Sequence, residues 1–289
     1  MCGRPMAGGV AGAAFCYLSK GAAMPTVTPT TDLTTNQGKF PLRFPALEAS
    51  LGQDHEWCEV KVGGRWRTIR FHDYHEIYQV PGLYECLFYR TLKCTSPLRV
   101  VSMLRRQLRE AGQTGESLRV LDVGAGNGMV GALAQQIGAR VCVGVDIIPE
   151  ARDAADRDRP WVYDDYVVAD LTDLPEAEEE RIRKQRLNCL MTVAALGFGD
   201  IPPKAFLTAL RLVQTPAWLA FNVKEDFAHP KDATGFAALL QRLAAEDVIR
   251  IESYARYRHR LSTTGEPLHY IAVIATKPRD VPDELRGEA

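Results

Sequence analysis

The sequence predicts an α/β fold in which a mostly parallel sheet is covered by helices. Three observations carry that reading. From about residue 116 to 280, buried strand patterns alternate with helical ones. One strand, Leu118 to Val123, runs directly into a glycine-rich turn and a helix. The chain then closes with two long strand-like runs, Val248 to Leu261 and Leu268 to Thr276. The linker Thr263-Thr264-Gly265-Glu266-Pro267 makes them an antiparallel hairpin.

Four segments follow in order. Residues 1–40 read by composition as a disordered extension. Within it, Met6 to Leu18 has the outline of a weak signal peptide, but it is rich in Gly and Ala. A flexible extension, or a true start at Met24, is the preferred reading. Residues 41–115 read as a cap or lid lead-in. There Gly63-Gly64 is a two-residue turn between Glu59-Val60-Lys61-Val62 and Arg65 to Phe71. A helix follows, with Ser96 as its cap, Pro97 in its first turn, Val100, Val101, Leu104 and Leu108 on one face, and Gly112 at its end. Residues 116–280 form the main domain, and residues 281–289 a flexible tail. Its further strands are Arg140 to Ile148, Tyr166 to Ala169, Leu187 to Ala195 and Trp218 to Val223. Helical spacing places helices over Met129 to Ile137, near Lys204 to Val213, and across Phe236 to Ala244. The run Glu176 to Arg186 has acids first and bases last, which suits a helix dipole and a solvated face.

Composition narrows the class. A 46% apolar and 25% charged chain is ordinary for a globular protein, and a net charge of −1 lacks the basic excess of a dedicated nucleic-acid binder. The seven cysteines are odd in number and contain no C-x-x-C pair, so neither a disulfide framework nor a metal site is expected. Unpaired thiols imply a reducing, cytoplasmic setting. No apolar run reaches the roughly 20 residues that span a membrane.

The informative stretch is Asp122-Val123-Gly124-Ala125-Gly126-Asn127-Gly128. Glycines there permit positive φ and close approach of a ligand, and the helix that follows presents free N–H groups. About 20 residues on, the next strand ends at Asp146, whose carboxylate can accept hydrogen bonds from ribose hydroxyls. Asp170 ends the third strand. Taken singly, each acid has a plainer explanation as a turn or cap residue. Three acids at successive strand ends beside one glycine turn favour a shared ligand site, because open α/β sheets bind ligands at the carboxyl ends of their strands.

The pattern D-x-G-x-G-x-G, then Asp146, then Ala169-Asp170-Leu171, resembles the class I S-adenosylmethionine-dependent methyltransferase family over roughly residues 71 to 278. That resemblance implies a doubly wound, Rossmann-like, seven-stranded sheet. It implies that Asp122, Gly124, Ala125 and Gly126 hold the methionine part of S-adenosylmethionine, with Asp146 on the ribose. Ile147 would pack on the adenine, Asp170 would bond its amine, beside Leu171, and Thr192 would face the cofactor from below. The run Ala194 to Asp200, with Phe221-Asn222-Val223-Lys224, is similar to small-molecule methyltransferases of the Williams-Beuren-region kind.

A nicotinamide or flavin enzyme is the competing Rossmann reading, since Gly126 to Gly131 matches G-x-G-x-x-G. Asp122 opposes it, because an acid there repels a pyrophosphate and welcomes a cationic amino-acid group. A non-catalytic cofactor-binding module acting through a partner is the third reading.

The substrate side is less legible. Methyl transfer needs alignment and exclusion of water, and a base only when the acceptor must lose a proton. No catalytic residue is assigned. The Asn-Pro-Pro-aromatic motif of amino-methylating nucleic-acid enzymes is missing, and Asp200-Ile201-Pro202-Pro203 only approximates it. Phe71 to Tyr78 is the expected lid, with Tyr74 and Tyr78 as candidates for contact with a small-molecule substrate. Arg65, Arg67, Arg70, Arg256, Arg258, His259 and Arg260 can hold an anion, but charge protecting solvated strand edges is the preferred explanation. His229 reads as an exposed loop histidine.

Overall fold

The computed structural model describes residues 40–45, 52–196, 201–225 and 235–286. The expected N-terminal extension, the Met24 start, Gly197 to Asp200 and His229 lie outside the described residues.

The cap is built first. Strands β1 (Leu42–Arg43), β2 (Trp57–Val62) and β3 (Arg65–Arg70) form an antiparallel sheet. Gly63 and Gly64 turn β2 into β3 with φ of 57° and 83°, which only a glycine pair adopts readily. Helix α1 (Tyr74–Gln79) follows, then a π-helical segment, Glu85–Thr91. Cys58, Val60, Ile69, Phe71, Ile77, Leu83, Leu87 and Phe88 give the cap its own apolar core.

Helix α2 (Ser96–Glu110) leads into the main domain. The cap residue of α2 is Thr95, not Ser96 as expected. Ser96 is fully buried instead, and its hydroxyl is used by Tyr257 and His259. The domain then alternates as expected: β4 (Arg119–Val123), α3 (Met129–Gln136), β5 (Val141–Asp146), α4 (Pro149–Asp158), β6 (Asp165–Val168), α5 (Glu176–Lys184), β7 (Cys189–Leu196), α6 (Pro203–Leu212), β8 (Ala217–Lys224), α7 (Phe236–Ala245), β9 (Arg250–Leu261) and β10 (Pro267–Lys277). The seven-stranded sheet has the order β6-β5-β4-β7-β8-β10-β9. Its first five strands are parallel, and β10 is antiparallel to both β8 and β9.

Near-continuous apolar runs make β4, β5 and β7 fit a sheet covered on both faces. Side-chain alternation divides their residues between two cores. Leu121, Val123, Val145, Leu190, Phe206 and Phe221 pack on one face. Val120, Cys142, Met191, Leu104, Leu133 and Ala272 pack on the other. Val281 and Leu285, in the segment expected to be a flexible tail, are buried against the first core.

The strand order reverses direction at β4, whose neighbours are β5 on one side and β7 on the other. Connections leaving β4 on opposite sides open a crevice beyond its carboxyl end. The candidate site lies there.

Candidate functional site

A cleft of about 450 Å³ sits over the carboxyl ends of β4, β5, β6 and β7. Of the residues singled out in the sequence, Gly124, Asp146, Ile147, Asp170, Leu171, Tyr74 and Tyr78 line it. Each strand delivers its acid because the strand ends where the pattern turns polar.

The glycine turn is tied to the next strand. Gly124 and Ala125 donate their N–H groups to the Val145 carbonyl at 2.9 and 3.1 Å. Gly124 has φ of 72°, and a Cβ there would meet the Ala195 side chain at 2.6 Å, so only glycine fits between β4 and β7. Gly126 donates to Asp146 Oδ2 at 2.9 Å, and Ile148 donates to Asp146 Oδ1 at 3.1 Å. Burial pushes the Asp146 carboxyl upward, and the N–H groups of Gly126, Ile148 and Ile147 pull it back. Asp170, just past the end of the neighbouring strand β6, is exposed. The Thr172 N–H and hydroxyl hold it below the ordinary carboxylate range. Ile147 keeps 58% of its surface exposed on the cleft wall, a flat apolar face left open beside two acids.

The α1 helix and its continuation form a roof of His72, Tyr74, Tyr78 and Tyr84. Tyr78 packs against Tyr84 with the rings tilted by 35° and centroids 4.9 Å apart, and is almost fully buried. Its hydroxyl sits directly over Gly126. Burial, with Tyr84 and Asp146 nearby, raises the Tyr78 phenol well above its ordinary range, so it stays protonated.

Four predicted residues do not line the cleft. Asp122 shares the face of Val120, beneath α3, because strand alternation turns it away from Val123 and Gly124. It accepts from the Tyr163 hydroxyl at 2.7 Å, while its Oδ1 is buried with no hydrogen-bond partner. Burial pushes its carboxyl up to about 7, against the Tyr163 bond, and Asp146 adds to the rise. Ala125 and Gly126, although in the turn, are not among the residues lining the cleft. Thr192 is buried one residue before the cleft wall, its hydroxyl unpartnered.

Other features had no sequence signal. Strand β7 slips register against β8 between Thr192 and Leu196, and Ala194 takes φ of 60° in that bulge. The bulge places Val193, Ala194 and Ala195 on the cleft wall. Under the roof, buried Arg159 pairs with buried Glu85 at 2.6 Å and donates to the Asn127 carbonyl at 3.1 Å. Arg157 donates to the Tyr78 carbonyl at 3.1 Å. The end of α4 thus ties the roof to the glycine turn. Arg260 and His259 are not solvated edge residues, as was expected of them. Arg260 is buried against Glu56 at 2.5 Å, and His259 against Ser96 at 2.6 Å. Arg67 and Arg256 pair at the surface with Glu76 and Glu225.

Among the described residues, no cluster of three or more His, Cys, Asp or Glu can hold a metal, and no helix is long and apolar enough to cross a membrane.

Residues 121–215 match the family model of a methyltransferase domain. Similar solved structures include the N-methyltransferase NodS from Bradyrhizobium japonicum WM9, in complex with S-adenosyl-l-homocysteine. It is 12% identical over 72% of this chain and 98% of that one, with a TM-score of 0.48. Thermoplasma acidophilum 1320 is 13% identical over 71% and 96%, with a TM-score of 0.45. Magnesium protoporphyrin IX methyltransferase from Synechocystis PCC 6803, with bound S-adenosylmethionine, is 15% identical over 62% and 78%, with a TM-score of 0.42. No curated protein matches the sequence.

Proposed function

We propose, on the premise that residues 121–215 carry a domain of the methyltransferase family, that this chain binds S-adenosylmethionine and transfers its methyl group to a small molecule. The observation that carries the reading is convergence. Gly124, Asp146, Ile147, Asp170 and an aromatic roof meet in one cleft at the point where the sheet reverses.

The residues present fit the cofactor. Asp146 retains lone pairs for ribose hydroxyls after accepting its two backbone bonds. Ile147 offers an open apolar face to adenine, and Asp170 an exposed acceptor to its amine. The small side chains at Ala194 and Ala195, facing Gly124, leave room for the methionine portion. Asp122 acts from below, through Tyr163, and not by contact. When bound, the sulfonium supplies an electrophilic methyl group. The protein's part is to align an acceptor with it and keep water out. The roof tyrosines, closed over the glycine turn, perform the second task.

The acidic cleft disfavours a dinucleotide. Asp146 already occupies the Gly126 N–H that a pyrophosphate would need, and both wall acids repel phosphate. A small acceptor suits the size of the cleft and the absence of basic excess. A reducing, cytoplasmic setting is supported by five free cysteines among the described residues, Cys58, Cys86, Cys94, Cys142 and Cys189.

Calorimetric titration with S-adenosylmethionine and with NAD tests the reading. Saturable binding of the first and none of the second is expected. Folded protein that ignores S-adenosylmethionine would overturn it.

A further inference from the structure

Strands β7 and β8 pair in step from Cys189 with Trp218 to Thr192 with Phe221, and resume at Leu196 with Val223. Three residues of β7, Val193, Ala194 and Ala195, therefore stand opposite one residue of β8, Asn222. Such a bulge takes backbone groups out of the ladder, and a buried N–H left without an acceptor is costly. Asn222 supplies the acceptor from its side chain. Its Oδ1 accepts from the Ala194 N–H at 2.7 Å, and its Nδ2 donates to the Tyr257 hydroxyl at 2.9 Å. A backbone N–H can only donate, so it fixes which end of the amide faces the bulge.

Nothing else about the position favours an amide. Phe221 and Val223 belong to the first core, and Asn222 is turned to the opposite face, that of Ala220, Tyr257 and Ala272, where it is fully buried. An apolar residue of similar size, such as leucine, suits that face better, because a buried amide is tolerated only when its hydrogen bonds are made. Ala194 also needs a hold. Its φ of 60° lies in the left-handed region, which a residue with a Cβ takes only where its surroundings impose it. Ala195 then seats against the glycine turn, its Cβ only 2.6 Å from where a Cβ on Gly124 would stand. All three bulge residues line the main cleft, and Asn222 does not. A side chain behind the wall thus sets a strained stretch of backbone that faces the ligand.

We propose that Asn222 is a positioning residue for the amino-acid end of the cofactor: through the Ala194 N–H it holds the bulge, and with it the wall beside Gly124 where that end lies. Asn222 touches no ligand itself. The proposal rests on the cofactor reading above, which seats the methionine portion between Gly124 and the alanines of the bulge. The adenosine end, at Asp146, Ile147 and Asp170, is held from other strands and does not depend on Asn222.

Two ligands that share adenosine separate positioning from a general loss of structure. S-adenosylhomocysteine carries the amino-acid end, and 5′-methylthioadenosine lacks it. Calorimetry on Asn222→Leu should find S-adenosylhomocysteine weakened about tenfold, the scale of one hydrogen bond, and 5′-methylthioadenosine unchanged within about twofold. Asn222→Asp, which keeps an acceptor oxygen for the Ala194 N–H, should recover most of the loss. A folded Asn222→Leu that binds both ligands as the unaltered protein does, or weakens both equally, overturns the proposal. So does an Asn222→Asp that recovers nothing. Asn222→Ala carries the same comparison should the leucine variant not fold. Hydrogen exchange at the Ala194 amide reads the hold without a ligand: it should be slow in the unaltered protein and at least about tenfold faster in Asn222→Leu. If S-adenosylhomocysteine does not bind the unaltered protein, the cofactor reading fails, and the exchange judges the hold by itself. An Ala194 amide that exchanges freely in the unaltered protein overturns it.

Discussion

Asp146 is the residue on which the cleft turns, because one carboxylate holds both the glycine turn and the start of α4 through backbone N–H groups. Asp146→Ala is expected to weaken S-adenosylmethionine by about 1–3 kcal/mol, from unmade hydrogen bonds and a loosened turn. Asp146→Asn should fall between. Calorimetry measures both, and unchanged affinity in the alanine variant would show that the ribose is not held there. Asp122 has a different task. Its carboxyl titrates near 7 in the fold and near its ordinary 3.8 when unfolded. Between those values the folded state binds the extra proton, so this group's contribution is full below about 4 and is lost as pH rises to about 7. The fold should lose about 3 kcal/mol from this source between pH 5 and 8, and Asp122→Asn should lose much less. Urea unfolding at the two pH values measures the difference; parallel losses would contradict the burial of this acid.

Helix α4 links the Asp146 wall of the cleft to the roof. It starts just after Asp146 and ends at Arg157 and Arg159, which hold Tyr78, Glu85 and Asn127. The Glu85–Arg159 pair is buried on both sides, so removing one partner strands a charge. Glu85→Gln is expected to destabilise the fold by about 3–5 kcal/mol and to weaken cofactor binding, since the roof and the glycine turn lose a common anchor. Replacing both members, Glu85→Leu with Arg159→Met, should recover much of the stability but not the affinity. Denaturation and calorimetry on the two variants separate the effects. A single variant as stable as the parent would mean the pair is not closed off from water.

At the scale of the whole molecule, the cap and the sheet share one ligand cavity while keeping separate apolar cores. A ligand in that cavity should therefore stabilise both together. S-adenosylmethionine at about 100 times its Kd should add about 2.7 kcal/mol. A single sharpened thermal transition is the expected readout, and NAD should leave it unmoved. Two transitions, with only one shifted, would show that the roof does not close on the ligand.

Much of this was legible in the sequence for a physical reason: local rules govern it. Apolar runs bounded by glycine gave the strands, 3.6-residue spacing gave the helices, and acids at strand ends gave Asp146 and Asp170. The turn at Gly124 needed positive φ whatever surrounded it. The tertiary structure decided what depends on residues far apart in the chain. Strand alternation within a two-faced sheet sent Asp122 away from the cleft, although Val123 and Gly124 line it. Pairing across 74 positions buried Glu85 against Arg159. A slip between β7 and β8 set Ala194, and from it a chain of side chains reached His259, which the sequence presented as one more charge on a strand edge. Such contacts have no period and no spacing, so only the folded chain brings them together.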